Sequence, residues 1–194
     1  MTNVVMGAVY AKGLSDERRV KTFLVDGLQL TVTPPTINQD RFEDTDCFVN
    51  GSAVSIKAQH SGIVYGNICF ELSQHLTSHK DCPASAMVTG SRNITQKDLT
   101  YLESVGSCEA SWYHNGKAEY YYILQGDTLR IYKKADIVNY VNTTGFLRIR
   151  PLSYKRQSYQ GGSYRYCNAV CGYIPIHAVP HVQHFVNDFT VEHN

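Results

Sequence analysis

Short apolar runs suited to β-strands alternate with helix-like segments along this chain of 194 residues, and this alternation is the strongest constraint on its fold. The strand-like runs are bounded by turn residues such as Asp26-Gly27 and Pro34-Pro35. They occupy residues 22–32, 47–49, 85–89, 120–124, 129–132, 146–152 and 173–179. Strands that alternate with helices favour an α/β domain, in which helices cover both faces of a sheet.

Three segments carry the pattern of a helix. An apolar side chain recurs at every fourth position from Val64 to Leu76, which predicts a helix over residues 63–75. A second helix is predicted over residues 134–141 and would stop at Gly145. Pro180 suits the first turn of a third helix. The core face of that helix would contain Val182, Phe185, Val186 and Phe189.

Length and composition indicate one soluble domain, residues 1–194, with a sizeable core. The six cysteines are spread through the chain, which suits reduced, buried thiols, and the N-terminus lacks the pattern of a signal peptide. We therefore expect a cytoplasmic location. No apolar run approaches the ~20 residues that span a bilayer, so no membrane contact is expected. Because the net charge is only +1, binding to nucleic acid would need a local basic patch.

Ligands of α/β sheets bind where loops leave the carboxyl ends of strands, here after Val49, Thr89 and Leu152. The segments around these loops read Phe-Val-Asn-Gly-Ser-Ala (residues 48–53), His-Ser-Gly-Ile-Val-Tyr-Gly-Asn-Ile (60–68) and Cys-Pro-Ala-Ser-Ala-Met-Val-Thr-Gly (82–90). In that order they resemble the Asn-Ala-Ala-Asn, His-Gly-Gly-Gly-Val-Ala-Gly-Ala-Ile and Cys-Pro-x-Gly-x-Ala-x-x-Thr-x-Gly segments of viral macrodomains. Such domains occur in coronavirus-type and other nidovirus replicase polyproteins.

The resemblance implies a three-layer α/β/α macrodomain-like fold with helices on both faces of the sheet. Residues 1–21 would then be an N-terminal extension and residues 107–128 an insertion. It also implies a non-structural protein of a virus that acts in the cytoplasm of the host cell. The ligand-binding positions that it implies are Asn50, Ser52, His60, Gly62, Val64, Thr89, Ser153 and Tyr154.

Several positions depart from what ADP-ribose binding requires in that family. Ser61 and Ile63 replace two glycines of the first phosphate loop, and a β-branched residue is poorly suited to a positive φ. Ala53 replaces the ribose-binding asparagine and has no hydrogen-bonding side chain. The glycine-rich second phosphate loop is replaced by bulky, basic residues 153–157. We therefore expect a degenerate, non-catalytic module without a cofactor, and ADP-ribose binding or hydrolysis is the alternative.

A run of cations and tyrosines suggests a different ligand. The cations are Arg148, Arg150, Lys155, Arg156 and Arg165, and the tyrosines are Tyr154, Tyr159, Tyr164 and Tyr166. Cations hold phosphates and aromatic rings stack on bases, a combination that suits single-stranded nucleic acid. The leading hypothesis is a module that binds RNA or a protein partner. The alternative is a solvated basic loop whose tyrosines pack within a sheet.

Two other sets of residues suggest different chemistry. Cys47 as nucleophile and His184 as base would fit a cysteine protease of the papain or ovarian-tumour type. Such a cysteine needs a helix N-terminus to lower its pKa, whereas the residues after Cys47 predict a strand and a loop. A zinc site could use four ligands, but their Cys-x3-Cys spacing is wider than the usual knuckle. These four are Cys167, Cys171, His177 and His181.

Overall fold

The computed structural model describes residues 6–60, 65–77, 108–110, 113, 116–157 and 164–186. The chain divides into two compact units. Unit 1 comprises Met1–Ile68, Asn115–Gly145 and Pro175–Asn194, and unit 2 comprises Cys69–His114 and Phe146–Ile174. Each unit contains a β-sheet, and the described residues together form a mixed α/β structure.

The helices are α1 (Met6–Thr22), α2 (Ile37–Glu43) and α3 (Lys134–Thr144), and a π-helical turn (Phe23–Gly27) continues α1. The first five strands are β1 (Val32–Thr33), β2 (Cys47–Val49), β3 (Ser52–Ala58), β4 (Asn67–Thr77) and β5 (Cys108–Ala110). The other five are β6 (Tyr120–Gln125), β7 (Thr128–Lys133), β8 (Arg148–Gln157), β9 (Tyr164–Pro175) and β10 (Gln183–Val186). α2 begins with a capping box between Thr36 and Gln39, which satisfies two backbone N–H groups.

Unit 1 is built on a six-stranded mixed sheet in the order β1-β2-β3-β6-β7-β10. β3 and β6 are parallel, and the other neighbouring strands of this sheet are antiparallel. The nearly continuous apolar run of β6 suits a strand that is buried on both faces. One face carries Tyr122 and Leu124, which pack in a core cluster with Val20 of α1. The other face carries Tyr121 and Ile123, both fully buried.

A two-residue turn joins β2 to β3. Val49 pairs with Ser52 across the turn, and both central residues have a positive φ, 49° at Asn50 and 87° at Gly51. Asn-Gly is the preferred pair for such hairpins because these two residues tolerate a positive φ best. The Asn50 side-chain oxygen also accepts a hydrogen bond from the Thr31 N–H at 3.1 Å, which ties the turn to the end of β1.

Unit 2 is built on a four-stranded sheet in the order β5-β4-β9-β8. β8 and β9 form a long antiparallel pair, from Arg148 opposite Tyr173 to Gln157 opposite Tyr164. Near one end of this pair, the ring of Phe146 packs edge-to-face with that of Tyr113, with ring centroids 5.7 Å apart. Gly172 lies so close to Phe146 that a Cβ atom at this position would come within 2.6 Å of the ring.

Two predictions near the N-terminus need correction. Residues 22–32 do not form strands, because α1 and the π-helical turn extend to Gly27 and only Val32–Thr33 is a strand. Val20, Phe23 and Leu24 are buried together, which is the helical i, i+3, i+4 spacing. The predicted N-terminal extension, residues 1–21, therefore includes a helix that contributes Val20 to the core of unit 1.

The helix predicted over residues 63–75 is also wrong, because β4 occupies most of that range. Ile68, Phe70 and Leu72 are buried, whereas the residues between them are only partly buried. A side chain at every fourth position also satisfies a period of two, so the apolar spacing from Val64 to Leu76 fits a strand equally well. Phe70, which lies between Ile68 and Leu72 and is buried with them, fits the period of two of a strand and not the period of a helix.

The predicted C-terminal helix and strand need correction as well. β9 ends at Pro175, four residues before the predicted end at residue 179. Residues 183–186 form β10 instead of a helix that begins at Pro180, and the Val182 N–H donates to the Ile131 carbonyl on β7. Phe185 still reaches the core, where its ring lies 5.1 Å from that of Phe23.

Several other predicted elements are confirmed within the described residues. Cys47–Val49 is a strand with both ends buried, and α3 ends at Gly145, whose φ is 82°. β6 and β7 form the predicted pair of strands around Gly126. Since β6 lies in the middle of the six-stranded sheet, the predicted insertion over residues 107–128 contains a central strand of unit 1. The strand predicted at residues 85–89 lies outside the described residues.

Candidate nucleic-acid interface

The ligand positions implied by the resemblance are distributed over both units. Asn50 and Ser52 belong to the tight β2–β3 turn of unit 1, where the Asn50 side chain is held by Thr31. Ser153 and Tyr154 lie on β8 of unit 2, opposite Asn168 and Cys167 of β9. Gly62, Val64 and Thr89 lie outside the described residues. The loop predicted to bind a ligand after Val49 is thus a tight two-residue hairpin turn.

His60, another predicted ligand position, has both ring nitrogens engaged within unit 1. Its Nδ1 accepts a hydrogen bond from the Gly126 N–H at 3.0 Å, so the proton of the neutral ring is on Nε2. Nε2 lies 2.8 Å from Oδ2 of Asp16, a buried residue of α1. His60 thus links α1 to the β6–β7 turn, and this bonding leaves neither nitrogen available to a ligand.

Cations dominate the β8–β9 pair of unit 2, which we term the basic ladder and define as residues 148–157 and 164–175. Five of its residues are lysine or arginine, and none is aspartate or glutamate. The sequence contains no acidic residue between Asp136 and Asp188, although the whole chain has a net charge of only +1. The ladder therefore concentrates positive charge that acidic residues balance elsewhere.

The register of the basic ladder brings separated cations to one place. Arg156 is paired with Arg165, and Lys155 is paired with Tyr166. Arg150 lies on the same strand as Arg156, opposite Cys171 of β9. Two cationic residues, Arg156 and Arg165, are thus direct partners in the register of this strand pair.

Arg148 differs from the other cations of the ladder. Its guanidinium carbon lies 4.7 Å from the centroid of the Tyr173 ring, which is the distance of a cation–π contact. Its Nε is buried. Arg148, one of the five cations predicted to hold phosphate, is thus packed against the ring of Tyr173.

A buried polar network in unit 1 had no counterpart in the sequence predictions. Asp44, at the end of α2, accepts hydrogen bonds from the Lys57 Nζ at 2.5 Å and from the Ser55 hydroxyl at 2.8 Å. Burial raises the pKa of Asp44 and outweighs the opposing effect of Lys57. Asp46 accepts from the Ile56 N–H at 2.5 Å. These contacts tie the end of α2 to β3, and the polar residues Asp44 and Asp46 before an apolar strand were the available signal.

The residues of the protease alternative do not meet. Cys47 is fully buried on β2, and burial raises its pKa to about 11, so its thiol stays protonated. His184 lies on β10, four strands away in the same sheet, which corresponds to roughly 19 Å at the usual strand spacing. His184 instead lies beside His181, and the Nδ1 atom of His184 is 3.0 Å from the Nε2 atom of His181.

Two of the four predicted zinc ligands have other neighbours. Cys171 lies in unit 2 near Cys69, and His181 lies in unit 1 against Tyr132 and His184. Among the residues that the structure describes, no three histidine, cysteine, aspartate or glutamate side chains are arranged to hold a metal ion. Cys167 lies on β9, and His177 follows that strand.

A depression of about 520 Å³ lies beside the start of α3, lined by Glu119, Tyr120, Lys134 and Val138 among others. None of the predicted site residues lines it.

No helix in the described part of the chain has both the length and the apolar character needed to cross a bilayer. The chain matches no protein-family model, no curated protein and no solved structure.

Proposed function

We propose that this chain is a non-catalytic module that binds single-stranded RNA through the basic ladder. The observation that carries the proposal is the register of β8 and β9, in which Arg156 stands opposite Arg165 and neither strand contains a carboxylate. A phosphate between the two positions would relieve their repulsion and replace it with charge-assisted hydrogen bonds.

Tyrosines in the ladder favour single strands over duplexes. Tyr154, Tyr164 and Tyr166 lie on the same two strands as the cations. Aromatic rings bind bases by stacking, which requires bases that are not already stacked within a duplex. The cation–π contact between Arg148 and Tyr173 shows that flat groups already pack together at one end of the ladder.

The macrodomain-like architecture is the finer part of the proposal, together with a role in a viral replicase in the host cytoplasm. It is supported by the order of the three sequence segments, by the parallel β3–β6 pair and by a central strand that is buried on both faces. The segment after β3 departs from it, because β4 replaces the helix that would carry the first phosphate loop. The engaged nitrogens of His60 and the closed Asn50 turn favour RNA over ADP-ribose.

Titration of a fluorescent RNA of about twelve nucleotides, followed by anisotropy at several salt concentrations, tests this proposal. Replacing Arg156 and Arg165 by glutamine should weaken binding and reduce the slope of log affinity against log salt by about 1.4, at about 0.7 for each lost phosphate contact. A matched control replaces two exposed cations of α1, Lys12 and Arg18, by glutamine. The control should bind RNA as the unchanged chain does.

Equal losses in the two double variants would mean that RNA responds only to total charge, and the ladder would not be the site. No binding at low salt would contradict the proposal as a whole. A poly-glutamate peptide added as competitor distinguishes an acidic protein partner. If the peptide binds through Arg156 and Arg165 while RNA does not, the ladder is a protein-binding surface instead.

A further inference from the structure

Two cysteines meet on neighbouring strands of unit 2. Cys69 lies on β4 and Cys171 on β9, and these strands are adjacent in the four-stranded sheet. The two thiols are close enough that Cys171 affects the pKa of Cys69, and neither forms a disulfide. Tyr173, two residues after Cys171 on β9, is also close enough to affect the pKa of Cys69. Neighbouring strands are about 4.8 Å apart, which suits the Cα separation of about 4.4–6.8 Å across a disulfide.

The surroundings of Cys69 favour its thiolate form. Hydrogen bonding from Cys171 lowers the pKa of Cys69, with further lowering by Tyr173 and by the positive charge of Arg148. Burial and the nearby carboxylate of Glu71 act in the opposite direction and do not prevail. Burial and the neighbouring Cys69 raise the pKa of Tyr173, so its hydroxyl keeps the proton that it donates.

The two cysteines differ in exposure. Cys171 is 3% exposed, whereas Cys69 is only partly buried. Cys47 provides the contrast, since it is fully buried and its pKa is raised to about 11 by burial. A thiol that is both accessible and stabilised as a thiolate reacts first with an oxidant.

We propose that Cys69 and Cys171 are a redox-active pair that hydrogen peroxide converts to a cross-strand disulfide. The Cys69 thiolate attacks one peroxide oxygen, the O–O bond breaks, and the products are a sulfenic acid on Cys69 and hydroxide. The Cys171 thiol then attacks the Cys69 sulfur, the S–O bond breaks, and the thiol proton leaves with the hydroxyl group as water. Peroxide is reduced by two electrons, and the two thiols are oxidised to one disulfide. A small thiol reductant reverses the change.

Mass mapping of the full chain under non-reducing conditions tests the proposal. After brief exposure to hydrogen peroxide and alkylation of the remaining thiols, the peptides that contain Cys69 and Cys171 should be linked, with the loss of two hydrogens. Reduction should restore both peptides. In Cys171→Ser, dimedone should instead trap a sulfenic acid on Cys69. Cys47→Ser is the matched control and should leave the linkage unchanged.

Tyr173→Phe tests the positioning role of the tyrosine hydroxyl. Oxidation of Cys69 should slow by about five-fold, the factor expected for one lost hydrogen bond, and alkylation of Cys69 should require a higher pH. The proposal is overturned if Cys69 and Cys171 remain free while another cysteine is oxidised. It is equally overturned if Cys69 is linked to a different cysteine. The mapping of the unchanged chain decides this even if a variant fails to fold.

Discussion

In unit 1, several cations lie directly beside carboxylates, whereas the basic ladder of unit 2 carries five cations and no carboxylate. The unit 1 pairs join separate elements and include Lys57 with Asp44, Arg19 with Asp127 and Lys117 with Glu43. In the ladder, the register places Arg156 opposite Arg165. Charge in unit 1 therefore holds elements together, while the ladder places two cationic residues opposite each other on neighbouring strands.

The two regions consequently respond to different perturbations. Loss of Lys57 leaves the largely buried Asp44 carboxylate without its partner, which costs folding free energy. If the proposed function holds, loss of Arg156 or Arg165 from the ladder should cost RNA binding instead. Stability and RNA affinity are thus the two measurements that test the comparison.

The largest expected effect is on the buried pair of unit 1. In Lys57→Met, the Asp44 carboxylate loses its 2.5 Å partner while 84% of its side chain stays shielded from solvent, since its exposure is 16%. The free energy of unfolding, measured by urea denaturation, should fall by about 3 kcal/mol. The double variant Lys57→Met, Asp44→Asn should recover much of the loss. A fall of less than about 1 kcal/mol would mean that Lys57 behaves as an ordinary surface cation.

A smaller effect is expected from overpacking in unit 2. In Gly172→Ala, the new methyl group would come within 2.6 Å of the Phe146 ring, and displacement of that ring should cost about 2 kcal/mol. Thermal unfolding measures the change. Gly13→Ala is the matched control, because Gly13 lies in α1 with open space around it, and alanine should stabilise the helix by about 0.5–1 kcal/mol. Equal effects in the two variants would contradict the close approach at Gly172.

The smallest expected effect is the pH dependence of His181. Burial, together with the charges of His184, Arg130 and His177, lowers its pKa below the ordinary value of 6.5. The unfolded chain therefore binds the proton more tightly than the folded chain, so this stability is present above pH 6.5 and is lost as the pH falls toward the lowered pKa.

The free energies of unfolding measured by urea denaturation on either side of that pH should differ by under about 1 kcal/mol, since His181 lies near the surface. His181→Gln should remove this part of the dependence. His60→Gln, which removes a histidine that bonds Asp16 and Gly126, serves as the comparison. An unchanged pH profile in His181→Gln would exclude His181 as the titrating group.

Sequence patterns predicted the elements whose period was unambiguous. The β6–β7 pair follows from two apolar runs around Gly126, and α3 follows from a periodic segment that Gly145 ends. At β4 the apolar spacing fitted two periods, and tertiary pairing with β9 selected the strand. At residues 22–27, packing of Phe23 and Leu24 on the unit 1 sheet overrode a local strand pattern.

The cations of the candidate interface could be identified from the sequence, but their arrangement across the two strands could not. Arg150, Lys155 and Arg156 could be grouped without a structure because they fall within one short stretch of sequence, which the structure shows to be a single strand. The opposition of Arg156 and Arg165 depends on strand register, which the sequence leaves open. The Cys69–Cys171 contact depends on the adjacency of β4 and β9, two strands separated by most of unit 2.

The parallel pairing of β3 with β6 has a consequence for the order of events during synthesis. Ala58 and Leu124 are partners in the sheet, yet much of unit 2 lies between them in the chain. Until β6 leaves the ribosome, β3 exposes an open edge whose backbone groups can pair with another nascent chain. Closing so long a loop is slow, so we expect maturation of this protein to be most vulnerable to aggregation before its second half is made.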